Sequence, residues 1–185
     1  MLSIPRRHRI AAVTLAAWVS LAGATTSSAG WLPTRQPARA SLDVAAAHRH
    51  NIALVTTALQ VVFTEHRIDQ IDRYFSADFV QHSPLVSDPG RDGLKKWLTR
   101  TVASIPDLTY TSSQVLADGD RVITFSTVTG TITNDMPEYG IKANGQKLNI
   151  LTAHIFRVAG NQIAEHWEVV DTGPLVRIAL DPTGS

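Results

Sequence analysis

The chain has 185 residues, of which 44% are hydrophobic and 18% are charged, a composition typical of a globular domain with its own core rather than of a disordered chain. The formal net charge is +1 and no basic stripe with interleaved aromatic residues occurs, so nucleic acid is not expected as a partner. Cysteine is absent from the sequence, which excludes disulfides, thiolate metal sites, a cysteine nucleophile and a lipidated cysteine anchor.

Residues 1–29 have the three-part order of a secretory signal peptide. A basic start is followed by an apolar segment, residues 10–22, that is short for a membrane span, and then by small polar residues ending at Ala29. An uncleaved membrane anchor is the alternative. We expect a secreted or periplasmic protein with no stable membrane anchor after cleavage. Without this leader, Lys plus Arg falls from 17 to 14 against 16 Asp plus Glu, so the mature chain is slightly acidic.

Three domain boundaries follow from composition and periodicity. Residues 30–41 contain two prolines and no periodicity, which predicts a linker. A single domain is predicted over residues 42–180, followed by a short tail, residues 181–185.

The first half of this domain has the apolar spacing of helices. Ser41 is expected to cap a helix of about two dozen residues that ends at Glu65-His66-Arg67. A short helix is predicted over Asp69–Phe75. A third, amphipathic helix is predicted over Arg91–Ser104, where Pro106 stops it.

The second half has the alternation of strands. Extended segments are predicted over residues 78–82, 108–117, 121–133, 148–158 and 163–171, with Asp-Gly and Gly-Asn connections typical of hairpin turns. Helices followed by a meandering sheet predict an α+β fold, with three N-terminal helices packed on a strongly curved antiparallel sheet. Such a sheet encloses a conical cavity suited to a small apolar ligand.

The last hairpin carries the candidate active site. Side chains alternate faces along a strand, so His166 and Glu168 share one face, and on the partner strand Thr152, His154 and Phe156 share a face. If the hairpin places His154 opposite the His166–Glu168 region, two imidazoles and a carboxylate converge on one surface. Such a cluster is unusual in strands otherwise rich in Val and Ile.

Three motifs resemble the SnoaL-like polyketide cyclases of the nuclear-transport-factor-2-like superfamily. They are F-V-Q-H-S-P at residues 79–84, G-R-D-G-L-K-K-W-L at 90–98, and the final hairpin, H-I-F-R-V-A-G-N-Q-I-A-E-H-W-E-V-V-D at 154–171. The resemblance covers roughly residues 46–180 and implies the cone-shaped fold of that superfamily. It also implies a possible homodimer formed through the open face of the sheet.

The resemblance implies a reaction without metal or organic cofactor. In those cyclases an Asp on the last strand is the general acid/base of an intramolecular aldol ring closure, and a His on the preceding strand stabilises the enolate. The similar positions here are Glu168 and His154. Glu in place of Asp keeps the carboxylate but carries it further into the cavity. Thr152 replaces a Gln of those cyclases.

Acid/base chemistry also follows from the residues themselves. Burial of Glu168 in an apolar pocket is expected to raise its pKa toward the range useful for proton transfer at neutral pH. His154 or His166 could donate to a developing enolate or hold the carboxylate, and His82 could reach the mouth of the cavity. The structural alternative is a hydrogen-bonded His166–Glu168 pair with His82 at the surface.

Further pocket residues are predicted from their positions. Trp97, Thr152, Phe156 and Asp171 are expected to line the cavity, and Asp171 is a secondary acid candidate that could instead cap the C-terminal turn. Three imidazoles and a carboxylate permit a metal site, but no short ligand spacing such as H-E-x-x-H occurs, so no metal is expected. No G-x-S-x-G motif supports a serine nucleophile.

The sequence therefore predicts an exported protein that binds a small apolar molecule in a conical pocket. Glu168 and His154 would perform cofactor-free acid/base chemistry, such as aldol cyclisation, isomerisation or hydration. The alternative is a non-catalytic ligand-binding or accessory protein of the same fold.

Overall fold

A computed structural model describes residues 36–143 and 145–181, so the predicted signal peptide and the start of the predicted linker lie outside the described residues. The described α-helices are α1 (Gln36–Ala58), α2 (Ile71–Tyr74), α3 (Arg91–Ser104) and α4 (Gly173–Leu180). The strands are β1 (Phe75–His82), β2 (Thr109–Asp118), β3 (Arg121–Thr131), β4 (Lys147–Ala159) and β5 (Gln162–Val170). No described helix is both long enough and apolar enough to cross a membrane.

The long helix extends further toward the N-terminus than the sequence predicts. α1 already includes Gln36, so Ser41 lies inside it and is not its cap, and the last part of the predicted linker is helical. The predicted end is confirmed: the helix continues as a π-helical turn to Thr64, and the Glu65 N–H donates to the Gln60 carbonyl.

The other helices are close to their predictions. α3 has the predicted bounds, with Leu94, Trp97 and Leu98 buried. The predicted second helix is a 3₁₀ turn, Ile68–Gln70, followed by α2. α4 has eight residues and follows the last strand.

The five strands form one sheet in the order β1-β5-β4-β3-β2. β2 to β5 are successive antiparallel neighbours, as predicted. β1, however, pairs with β5 in parallel, so the prediction of a purely antiparallel sheet is wrong and the sheet is mixed. No hairpin fixes the direction of β1, because α3 and three strands separate it from its partner in the chain.

The sheet has an inner face that joins the core. Alternate residues of β4 from Leu148 to Val158 are buried, and buried side chains of α1 and α3 belong to the same core cluster. The inner face of β4 and β5 therefore lies in a largely apolar interior.

Two histidines of α1 contact the ends of the hairpins. The Gly119 N–H of the β2–β3 turn donates to His48 Nε2 over 3.0 Å, and His50 bonds the Asn161 side chain of the β4–β5 turn. These histidines lie at the surface and also join α1 to both turns.

Candidate active site on the inner sheet face

The register of the last hairpin brings the predicted cluster together. His154 lies directly opposite Glu168, and Phe156 lies opposite His166. All four side chains are on the inner face, so the predicted convergence of two imidazoles and a carboxylate is confirmed. His154 is only 3% exposed.

One arrangement of protons satisfies the hydrogen bonds of both imidazoles and of Thr152. The Thr152 hydroxyl donates to the Ser126 carbonyl, so its oxygen accepts from His154 Nε2–H over 2.8 Å. His154 Nδ1 is then an acceptor, and His166 Nε2–H donates to it over 3.0 Å. Both imidazoles are neutral in this arrangement.

Burial is consistent with these neutral imidazoles. Desolvation lowers the pKa of His154 to about 4, and it lowers the pKa of His166 well below its usual value. Although Glu168 Oε2 lies 3.4 Å from His154 Nδ1, the contact is therefore not an ion pair at neutral pH.

Glu168 is hydrogen-bonded to the protein at one carboxyl oxygen. The Ser83 hydroxyl donates to Oε1, and the Leu85 N–H in turn donates to Ser83 Oγ over 3.0 Å. Burial raises the pKa of Glu168, an effect that outweighs the opposing hydrogen bond from Ser83. The predicted direction of this shift is confirmed.

Two adjacent chambers meet at Glu168. The outer chamber, about 50 Å³, is walled mainly by apolar side chains such as those of Leu108, Val128 and Ile150. The inner chamber, about 20 Å³, is lined by the imidazoles, Phe156 and Gln81, among others. Glu168, Trp97 and Tyr110 line both chambers.

Three of the four predicted pocket residues are in these walls. Trp97 lines both chambers, Thr152 the outer and Phe156 the inner. Asp171 is exposed and lines neither chamber, so that prediction is wrong. Its carboxylate accepts from the Gly173 N–H at the start of α4, which is the alternative capping role predicted for it.

His82 does not reach the cavity, which corrects its assignment to the mouth. Its imidazole is at the opposite face of the sheet, bonded to Glu165 over 3.0 Å and stacked on Trp167. Because side chains alternate along β1, the burial of Phe79 and Gln81 turns His82 outward.

Gln81 and Ser83 are the site residues that sequence reasoning missed. The same alternation could have found Gln81, since Phe79 in F-V-Q-H is an apolar residue two positions earlier. Nothing in the sequence indicates that Ser83 would reach Glu168, because it lies in a turn after the strand.

The wall of the outer chamber is tied together by Tyr139. Its hydroxyl donates to the Leu85 carbonyl over 2.9 Å and accepts from Trp97 Nε1–H over 3.0 Å. The β1–α3 loop, α3 and the β3–β4 connection are thus joined beside Glu168.

The cluster also has the donor set of a metal site. Ligand-type atoms of His154, His166 and Glu168 lie within 4.8 Å of one another. Two imidazoles and a carboxylate are a common set of zinc ligands. That the protein works without a metal remains a prediction.

Comparisons with known proteins agree on one family. The family model described as SnoaL-like polyketide cyclase matches residues 53–177. No curated protein matches the chain.

Solved structures share the fold. A candidate polyketide cyclase from Acidithiobacillus ferrooxidans is 24% identical, with a TM-score of 0.63 over 71% of this chain and 95% of that one. IdmH, a candidate polyketide cyclase from Streptomyces antibioticus, is 23% identical, with a TM-score of 0.60 over 69% and 96%. A Catenulispora acidiphila protein with a ketosteroid isomerase-like fold is 19% identical, with a TM-score of 0.56 over 68% and 91%. At these identities the likeness shows the fold and not the reaction.

Proposed function

The chain belongs to the SnoaL-like polyketide cyclase family, and on that premise we propose that it binds a small, largely apolar carbonyl compound and moves a proton on it without a cofactor. Aldol cyclisation, isomerisation and hydration all use such a step. The ligand would lie in a cone-shaped pocket made of the outer and inner chambers.

One observation carries this proposal: a buried carboxyl group of raised pKa lies where two chambers meet, one almost wholly apolar and one that also has buried polar side chains in its wall. A base works best at neutral pH when its pKa is close to the ambient pH, and burial moves Glu168 in that direction. Buried titratable groups of this kind are enriched at active sites.

The neighbouring residues support Glu168 in this role. Ser83 holds one carboxyl oxygen in place, which leaves Oε2 as the oxygen that faces the imidazoles. The neutral imidazole of His154 beside it adds no positive charge that would hold Glu168 in its ionised form.

The test uses proton exchange, because aldol cyclisation and the isomerisation of an enone both remove a proton from a carbon activated by a carbonyl. Cyclohexanone in D₂O is incubated with the protein, and deuterium incorporation is followed by NMR. Glu168→Gln should lower the catalysed exchange rate by about 10²–10⁴-fold, the usual contribution of a general base. Glu165→Gln is the matched control, since it makes the same change on the same strand but at the outer face, and it should retain the rate.

A second candidate is a ligand-binding protein without catalysis. It is favoured by the hydrogen bond that Glu168 Oε1 accepts from Ser83, because a structural carboxyl group would be held in the same way. If cyclohexanone binds but wild-type protein does not speed its exchange, this candidate replaces the first.

We also propose that the protein is exported, on the strength of the three-part order of residues 1–29. N-terminal sequencing of the mature protein should find its first residue close to Gly30. A mature chain that still begins at Met1 would contradict export by this route.

A further inference from the structure

We propose that Gln81 is the residue that holds the carbonyl oxygen of the ligand, by donating a hydrogen bond from Nε2, and that the ligand enters with this oxygen leading. This inference rests on the proposed function and assigns the role that sequence analysis gave to His154.

The first argument is an unmet hydrogen bond. Gln81 is only 4% exposed, yet its Nε2 has no hydrogen-bond partner among the described residues. An amide donor buried without a partner is costly, and such groups in native proteins call for an explanation. An oxygen of a bound molecule would satisfy it.

The second argument is the position of this amide. On the sheet Gln81 is paired with His166, and its side chain lines the inner chamber together with Glu168. A chamber of about 20 Å³ has room for one oxygen-sized group, whereas the larger outer chamber is almost wholly apolar. An oxygen therefore belongs in the inner chamber and the carbon body in the outer one.

The third argument is that neither imidazole has a proton to offer. His154 Nε2–H is donated to Thr152, and His166 Nε2–H is donated to His154 Nδ1. In neutral imidazoles the remaining nitrogens are acceptors. The indole N–H of Trp97 is likewise donated within the protein. Among the described side-chain N–H groups that line the inner chamber, the amide of Gln81 is therefore the free one.

The proton transfer follows from this placement. The Glu168 carboxylate takes a proton from the carbon next to the carbonyl. The electron pair of that C–H bond becomes the enolate double bond, and the carbonyl π pair moves onto the oxygen that Gln81 holds. Returning the proton from Glu168 to carbon restores both groups. Donors aimed at such an oxygen stabilise the transition state.

The experiment compares two ligands that differ at one atom. Cyclohexanone and methylenecyclohexane have the same ring, but only the ketone has an oxygen acceptor. Ligand-observed NMR titrations should show cyclohexanone binding at least about tenfold more tightly to the wild-type protein. In Gln81→Leu this preference should fall to within about twofold.

Thr124→Val is the matched control. Thr124 Oγ1 is also buried and lacks a partner among the described residues, but Thr124 lines neither chamber. Loss of a buried polar group by itself should therefore leave the ketone preference unchanged. An equal loss of the preference for cyclohexanone in Gln81→Leu and in Thr124→Val would overturn the assignment of the carbonyl oxygen to Gln81.

A second measurement does not depend on the folding of a variant. The side-chain amide protons of Gln81 in the wild-type protein should shift on addition of cyclohexanone and not on addition of methylenecyclohexane. An unmoved amide at ketone saturation, a ketone preference that survives Gln81→Leu, or no ketone binding up to its solubility would each refute the proposal.

The outcomes separate this inference from the proposed function. If Glu168→Gln abolishes proton exchange while Gln81→Leu changes neither binding nor exchange, the acid/base function holds and the role of Gln81 is lost. If the ketone preference depends on Gln81 but the protein catalyses no proton exchange, Gln81 holds the carbonyl oxygen and the acid/base function is lost.

Discussion

Glu168 and His154 face each other across two strands, and burial shifts their pKa values in opposite directions. It raises the pKa of Glu168 and lowers that of His154 to about 4, because in each case the apolar surroundings penalise the charged form. Burial thus disfavours the charged form of both groups, which suits a site that must hold an apolar molecule.

The depressed pKa of His154 predicts that the protein loses stability in mild acid. Between pH 6.5 and about 4 the unfolded chain takes up a proton that the folded imidazole does not, so the free energy of unfolding falls as the pH falls. The full loss is on the order of 3 kcal/mol. Glu168 acts in the opposite sense: above its unfolded pKa the folded state keeps its proton longer, so its contribution falls as the pH rises.

Urea denaturation at pH 7 and pH 5 measures the effect. His154→Gln should lose less stability between these two values than the wild-type protein. His82→Gln, which changes an exposed histidine of the outer face, should lose as much as the wild type. Equal losses in all three proteins would show that His154 does not govern the acid response.

Strand alternation predicted the facing of individual residues but not all of their partners. It placed His154, His166 and Glu168 on one buried face, because the hairpin turn fixes the register between two neighbouring strands. It could not supply Ser83, since that contact joins the end of β1 to β5 across 85 residues of chain. The alternation along β1 also gives His82 the opposite facing to Phe79 and Gln81, so its side chain points away from the cavity.

Elements were predictable where a local signal ends them. Pro106 follows α3 closely, and Asp-Gly marks the β2–β3 turn. The predicted bounds of α3 and of β2 therefore agree with the structure within a residue or two. The pairing of β1 with β5 has no local signal. A parallel neighbour is chosen by tertiary packing, which the pattern of a single strand does not contain.

The start of α3 is packed too tightly for a side chain at Gly93. A Cβ built there would lie 2.2 Å from the backbone oxygen of Asp88, in the loop that follows Ser83. We expect Gly93→Ala to destabilise the protein by about 1–3 kcal/mol, the usual cost of overpacking. It should also weaken ketone binding, because shifting this loop disturbs the Ser83–Glu168 contact.

Gly90→Ala provides the comparison, because Gly90 lies in the same segment and its added Cβ would be 3.7 Å from the nearest atom. Thermal unfolding and cyclohexanone titration of both variants test the expectation. Equal stability of Gly93→Ala and Gly90→Ala would show that the loop at Asp88 can shift without loss of stability.

At the scale of the whole molecule, the outer face of the sheet has an apolar patch that no described residue covers. Leu151 is 63% exposed and Val169 is 74% exposed, and Phe125 is next to them on the same face. The register aligns Phe125 with Ala153 and Ala153 with Val169, so these side chains form a continuous patch across three strands. Contiguous apolar patches of this kind mark interaction sites more often than scattered exposed residues do.

We propose a second copy of the chain as the partner of this patch, because a two-fold axis would let the same apolar residues cover each other. Light scattering after size-exclusion chromatography should then give twice the monomer mass. The double variant Leu151→Lys, Val169→Lys should give the monomer mass, because burying unpaired charges in the interface costs several kcal/mol. Leu180→Lys is the control, because this leucine is 80% exposed on α4 rather than on the sheet, and it should remain dimeric. A wild-type protein that is monomeric at high concentration, or a dimer that tolerates both lysines on the sheet, would rule out this interface.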